Sequence, residues 1–306
     1  MANALTSIQR TAYSAFHEAL AQGTGNFLKC GGVYAGSEKN LTLTMSQAAG
    51  GFTAYTAPGT SVTKDILSGL VTFSATPKAK IERLTFSQVN DNPELVAQRS
   101  AAMANQALQA INASYFAGLS ALSATAHPLA GSSAGNVGAS KKYADTAMGV
   151  GAVSQSNLFT SSLSRSAVVG AIETLGNWVS WGSGDALNLG SDMEKLVLVV
   201  DHANRDLAES IAGSAVISAD MQKNGLLGRI TVVANSLADS DDWMLIDTAA
   251  GLNGQGPTGM WIRQMPQIRV TQDSSQGGLD WVIAASYEAD FVYDVEGAGI
   301  VVSNVA

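Results

Sequence analysis

The chain has 306 residues, 46% of them hydrophobic, a net charge of −8 and a single cysteine, Cys30. This is ample apolar material for a buried core, and it excludes a disulfide scaffold and a cysteine-rich zinc site; no window reaches the about 18 unbroken apolar residues of a membrane helix. Charged residues make up only 14%, so abundant Ala, Ser and Gly leave a surface that is covered at little desolvation cost.

Ile8, Ala12, Phe16 and Leu20 recur at helical spacing and predict an amphipathic helix over 3–21, ended by Gly23 and Gly25. Its terminal position reads as an arm rather than core. Gln9, Arg10, His17 and Glu18 occupy the place where a signal peptide needs an apolar centre, so synthesis in the cytoplasm is expected. Next, Leu41, Leu43 and Met45, and then Val71, Phe73 and Ala75, alternate with Thr or Ser as strands do. Between them Tyr55-Thr56-Ala57-Pro58-Gly59-Thr60 has turn chemistry, which makes the segment a long hairpin. It has too few large apolar residues for its own core and needs another surface to lie on.

Asn92 as cap, Pro93 and Glu94 start a helix whose stripe is Val96, Met103, Ala107, Ile111 and Tyr115. Running to Leu119, it is about 40 Å long at about 1.5 Å per residue. Residues 121–156 are rich in Gly, Ser and Ala and read as a loop-rich connection. A second helix is expected over 164–178, with Val168, Ile172 and Leu175 on one face. Leu196–Val200 is a continuous apolar run of strand length, followed by Asp201 as cap and a helix carrying Leu207, Ala208 and Ile211. Further strands are expected at 229–234, 243–247, 259–263 and 279–292, the last long enough to bulge. Late strands without intervening helices make the fold α+β with a mixed or antiparallel sheet.

Charge is unevenly placed. Residues 1–100 carry 8 basic and 6 acidic side chains, whereas 201–306 carry 5 and 14. The basic residues Lys64, Lys78, Lys80 and Arg83 lie on the extended arm and its return; Asp239, Asp241 and Asp242 lie in the acidic part. These seven are the candidate subunit-interface residues, since a basic arm crossing an acidic neighbour would match potentials.

Catalytic motifs fail on context. Gly131-Ser132-Ser133-Ala134-Gly135 matches the G-x-S-x-G pattern of serine hydrolases, but no buried strand leads into Ser133 and no clear helix follows. Gly149-Val150-Gly151 lacks the third glycine of a dinucleotide loop, with Ser154 in its place. His17, His127 and His202 are dispersed and have no metal-ligand spacing, and the Asp239–Asp242 run lacks the Gly and Glu of an EF-hand. No cofactor, metal site or enzymatic activity is expected, and no basic stripe with interleaved aromatics points to sequence-specific nucleic-acid binding.

The order of elements, and in particular residues 71–80 running through Ser87-Gln88-Val89-Asn90-Asp91-Asn92 into the long helix, resembles the major capsid proteins of tailed bacteriophages with the HK97-type fold. Leu196–Val200, 228–233 and 242–247 are similar to the wedge-shaped domain of that family, and the best-matched part resembles the major head subunits of Mu-like phages. The resemblance implies five parts: an N-terminal arm (1–34), an extended hairpin arm (35–88), a peripheral domain with a spine helix (89–155), an axial α+β domain (156–285) and a C-terminal strand returning to the peripheral domain (286–306). It implies self-assembly into hexamers and pentamers of an icosahedral shell enclosing double-stranded DNA, with separate scaffolding, protease and portal proteins, assembly in the host cytoplasm, residence in the virion, and no membrane. No scaffolding leader is visible at the start. Some relatives weld subunits by a Lys–Asn bond; Lys64 and Asn304 match in residue type only. An encapsulin-like compartment and a hydrolase built on Ser133 are the alternatives.

Overall fold

The computed structural model describes residues 2–23, 25–48, 66–122, 141–143, 153–155, 157–178, 186–213, 230–250, 256–273, 280–293, 299–303 and 305. Its elements in chain order begin with helix α1 (Ala2–Gln22), strands β1 (Gly32–Ala35), β2 (Asn40–Ala48), β3 (Ile66–Ser74) and β4 (Thr76–Leu84), and helices α2 (Phe86–Asp91) and α3 (Leu95–Ala121). Strands β5 (Lys141–Tyr143), β6 (Val153–Gln155) and β7 (Leu158–Phe159), helix α4 (Arg165–Gly176), strand β8 (Leu196–Val200) and helix α5 (Arg205–Gly213) come next. Strands β9 (Thr231–Ala234), β10 (Trp243–Asp247), β11 (Thr258–Asp273), β12 (Asp280–Tyr293) and β13 (Ile300–Ser303) complete the chain.

Two larger sheets result. The first has the order β1-β11-β12-β4, and the second β7-β13-β10-β8-β9. The first is antiparallel except for the parallel β1·β11 pair, and the second mixes antiparallel pairs at β10 with parallel pairs β8·β9 and β13·β7. Strands β2 and β3 form a separate antiparallel ladder, as do β5 and β6.

The spine α3 lies between them. Near its start Val96, Met103 and Ala104 pack with Ala12 and Phe16 of α1 on Ile268, Val270, Trp281, Ile283 and Ala285 of the first sheet. Towards its end Ile111, Tyr115, Phe116 and Leu119 join Met260, Ile262 and Tyr287 of that sheet to Val197, Val199, Met244, Ile246 and Val302 of the second. The opposite face of the second sheet, Leu198, Val200, Trp243, Leu245 and Val301, is covered by α4 and α5 through Val168, Ala171, Leu175, Ala208 and Ile211. This two-sided burial explains why all five residues of β8 and of β10 are buried and why they read as continuous apolar runs. Cys30 is fully buried in the same core, and burial pushes its thiol up to about 12.

Three expectations are corrected by these contacts. Helix α1 is held down as core, because Ala12 and Phe16 are fully buried, rather than standing free as an arm. The link before the spine is itself helical: Thr85 accepts the Gln88 N–H at 3.4 Å and Gln88 accepts the Thr85 N–H at 3.0 Å, a capping box. Asn92 does serve the entry to α3, accepting the Glu94 N–H at 3.2 Å. Strand β11 is far longer than the expected 259–263, continuing past Pro266 through two register shifts between Ile262 and Gln267. Strands β11 and β12 lie in the sheet under α3, while Ile300–Ser303 pairs with β10 in the second sheet.

Candidate assembly surface

The β2–β3 ladder runs from Asn40↔Ser74 to Ala48↔Ile66 and pairs Leu41 with Phe73 at its foot. Its foot joins the body. Phe73 and Ala75 pack on Trp261 of β11 and Val292 of β12, with Tyr34, Leu41 and Tyr293 around them. Phe73 meets the Tyr293 ring edge-on at 5.2 Å between centroids. Gly36 must be a glycine here, since a Cβ would lie 2.2 Å from the Trp261 ring.

Beyond the foot, the sheet face that carries Trp261 and Val292 is half-buried to exposed among the described residues. Alternation in β12 sends Ile283, Ala285 and Tyr287 towards α3 and leaves Val282, Ala284 and Ser286 half-buried on the other side. On the edge strand β4 the apolar Ile81 points into solvent, 68% exposed, while Lys78 and Lys80 lie on the helix side. There Lys78 Nζ donates to Ser114 Oγ at 2.9 Å and Lys80 Nζ to Gln106 Oε1 at 2.6 Å. The reason is geometric: α3 covers β11 and β12, and lysine stems lie along its flank with their ammonium groups in water, which also protects the edge strand from unwanted pairing. Ile81, Phe86 and Met265, all more than half exposed, are surface residues that sequence reading missed. Strict alternation along Lys78-Ala79-Lys80-Ile81-Glu82-Arg83 was the available signal, but it assigns the apolar side inward when this sheet has its helix on the other side.

The predicted charged residues divide. Lys64 and Ser133 lie outside the described residues, as do His127, Gly149–Gly151 and Asn304. Lys80 pairs with Glu82 at 2.9 Å and Arg83 with Asp273 at 2.6 Å, each cation about half exposed. Asp239 and Asp241 are exposed in the turn before β10, where Asp239 accepts the Asp241 N–H at 3.0 Å. Asp242 is buried and internal in role: it accepts the Val305 N–H at 3.2 Å, and burial, aided by neighbouring Asp239 and Asp241, pushes its carboxyl above the usual range. Among the described residues no ion pair joins the basic strand to this acidic turn within one subunit.

Among the described residues no three of His, Cys, Asp and Glu are grouped to hold a metal, and no helix is long and apolar enough to cross a membrane.

The model of a family described as phage capsid protein matches residues 69–303. Comparison with curated proteins finds no match. Among solved structures, the chain is similar to the capsid of a native GTA particle, with 13% identity, a TM-score of 0.55, and 93% of this chain and 91% of that one covered. It is similar to the mature capsid of bacteriophage PhiM1 with 8% identity, TM-score 0.57 and coverage of 90% and 86%. A structure from Mycobacterium phage Cain matches with 14% identity, TM-score 0.53 and coverage of 93% and 90%. At these identities the likeness concerns the fold, a mixed α+β arrangement of the HK97 type.

Proposed function

The chain belongs to the phage capsid protein family, and from that premise we propose that many copies close into an icosahedral shell of hexamers and pentamers around double-stranded DNA. As a capsid protein it is a structural component of the virion; this reading is favoured over the encapsulin-like compartment and over a hydrolase built on Ser133. The observation that carries the proposal is the β2–β3 ladder, whose contact with its own subunit, among the residues with described side chains, is at its foot; a two-stranded ribbon is marginal alone in water. A neighbouring copy supplies the missing surface. Each copy engages several others, so weak contacts add up. Finer features are part of the same proposal: 35–88 as the overlapping arm, 89–155 as the spine-bearing part, assembly in the host cytoplasm, separate scaffolding, protease and portal proteins, DNA held without sequence reading, and a place among Mu-like head subunits.

Negative-stain microscopy of the purified chain tests it. Closed shells of uniform diameter are expected, and a monodisperse small species under all assembly conditions would remove the proposal.

The charge pairing between copies has its own test. Asp241→Lys changes an exposed side chain outside the core, so the subunit folds, but its assembly rate in low salt is expected to fall several-fold. At about 1 M salt, where the screening length is about 3 Å, the variant and the unmodified chain should assemble alike. Equal rates in low salt would show that the acidic turn meets no basic partner.

A further inference from the structure

At the foot of the hairpin one carboxylate has no task in the core. Asp290 lies on the face of β12 that points away from α3, opposite Trp261 of β11. On its other flank the ladder to β4 ends at Ala289↔Thr76, so the chain parts from β12 at Ala75 and enters β3 at Ser74. There the Asp290 carboxylate accepts two backbone N–H groups, from Phe291 of its own strand at 2.9 Å and from Ser74. Lys78 of β4, on the helix side of the sheet, is the cation whose charge reaches it, and the Arg263–Glu288 pair sits one step along the Asp290 face. Burial pushes its carboxyl above the ordinary range against these three favourable contacts.

A half-buried acid is retained where a neutral side chain would be easier to bury, and its position is the turning point between body and ribbon. The rest of the foot is aromatic and aliphatic contact, which holds surfaces together but specifies direction weakly. The hydrogen bonds at the foot are directional: Ala75 N–H to Lys39 O at 3.1 Å and Ser74 Oγ to Asn40 Oδ1 at 2.7 Å fix the strands to each other, Arg263 Nε to Ser37 O at 3.2 Å ties the turn before β2 to β11, and the Asp290 bond to Ser74 ties β3 to β12.

We propose that Asp290 is the positioning residue of the hairpin: by holding the Ser74 N–H where β3 turns into β4, it sets the angle at which the ribbon leaves the subunit. The importance of that angle for assembly rests on the proposed shell function; the angle itself is a property of the single chain.

The test is a spin-label distance across the foot, in the full chain, between Thr42→Cys on β2 and Gln267→Cys on β11, both exposed. Cys30 is fully buried and does not label. A narrow distance distribution is expected for the unmodified foot. Asp290→Ala should broaden it at least about twofold, and Asp290→Asn, which keeps an acceptor oxygen for Ser74, should restore the narrow width. A broad distribution in the unmodified foot, an unchanged width in Asp290→Ala, or the same broadening in Asp290→Asn would each overturn the proposal, and the first and last of these can be read even if Asp290→Ala fails to fold. If the angle broadens while shells form normally, the positioning role stands and the ribbon's part in assembly falls.

Discussion

A chain in which an Asn-Gly turn joins Thr42 directly to Thr72, replacing residues 43–71, is expected to fold and to form no particles. Thr42 and Thr72 face each other in the β2·β3 ladder, with their hydroxyl oxygens 3.4 Å apart, so a two-residue turn spans them without strain. The shortened chain keeps Leu41, Phe73 and Ala75, and with them the whole contact on Trp261 and Val292. Among the described residues no other side chain of the ribbon enters a hydrophobic cluster of the subunit. Its stability to denaturant should therefore stay within about 1 kcal/mol of the full chain, the range of changes made outside a core. Microscopy should show dispersed subunits where the full chain gives shells. Shells of normal size from the shortened chain would mean that the ribbon is not the overlapping arm; loss of folding would mean that it belongs to the core.

The second large effect is on stability. Trp243→Ala should lower the unfolding free energy by about 3–5 kcal/mol, the usual result of emptying a buried Trp site. The Trp243 side chain is fully buried between the second sheet and α4, stands edge-on to Phe159 at 5.9 Å, and donates from Nε1 to the Ser161 carbonyl at 3.0 Å. Its backbone N–H donates to Ser303 Oγ at 2.6 Å, so the residue sits where β10, β13 and the segment before α4 meet. Against a typical stability of about 5–15 kcal/mol, such a loss is a large share. Urea unfolding followed by far-UV circular dichroism measures it, and a loss below about 1 kcal/mol would show that the site collapses around the missing ring.

Elements buried on two faces or carrying strong caps were legible before the structure. Strands β8 and β10 are unbroken apolar runs, and Ser164, which accepts the Ala167 N–H at 3.2 Å, marks the start of α4 as its side chain suggests. Pairing was not legible, because partners in the first sheet are separated by nearly two hundred residues: Leu84 pairs with Trp281. Strand β11 was hidden by Pro266 and its register shifts, which break the two-residue rhythm that announces a strand. Helix α2 had its signature in plain view, Thr85-x-x-Gln88, but six residues are too few for a periodic pattern. Among the interface candidates, Asp242 reads like its exposed neighbours Asp239 and Asp241; its burial and its bond to the Val305 backbone separate it from them.

The spine helix has one more consequence. Because its final turns share a single apolar core with both sheets, the two sheets cannot slide or tilt against each other without opening contacts at Ile111, Tyr115 and Leu119. The subunit body is then a stiff lever, and its compliance is concentrated in the strands that leave it. Where copies of the proposed shell meet at unequal curvatures, the difference would be taken up along the ribbon beyond its fixed foot, with the body carried along undeformed.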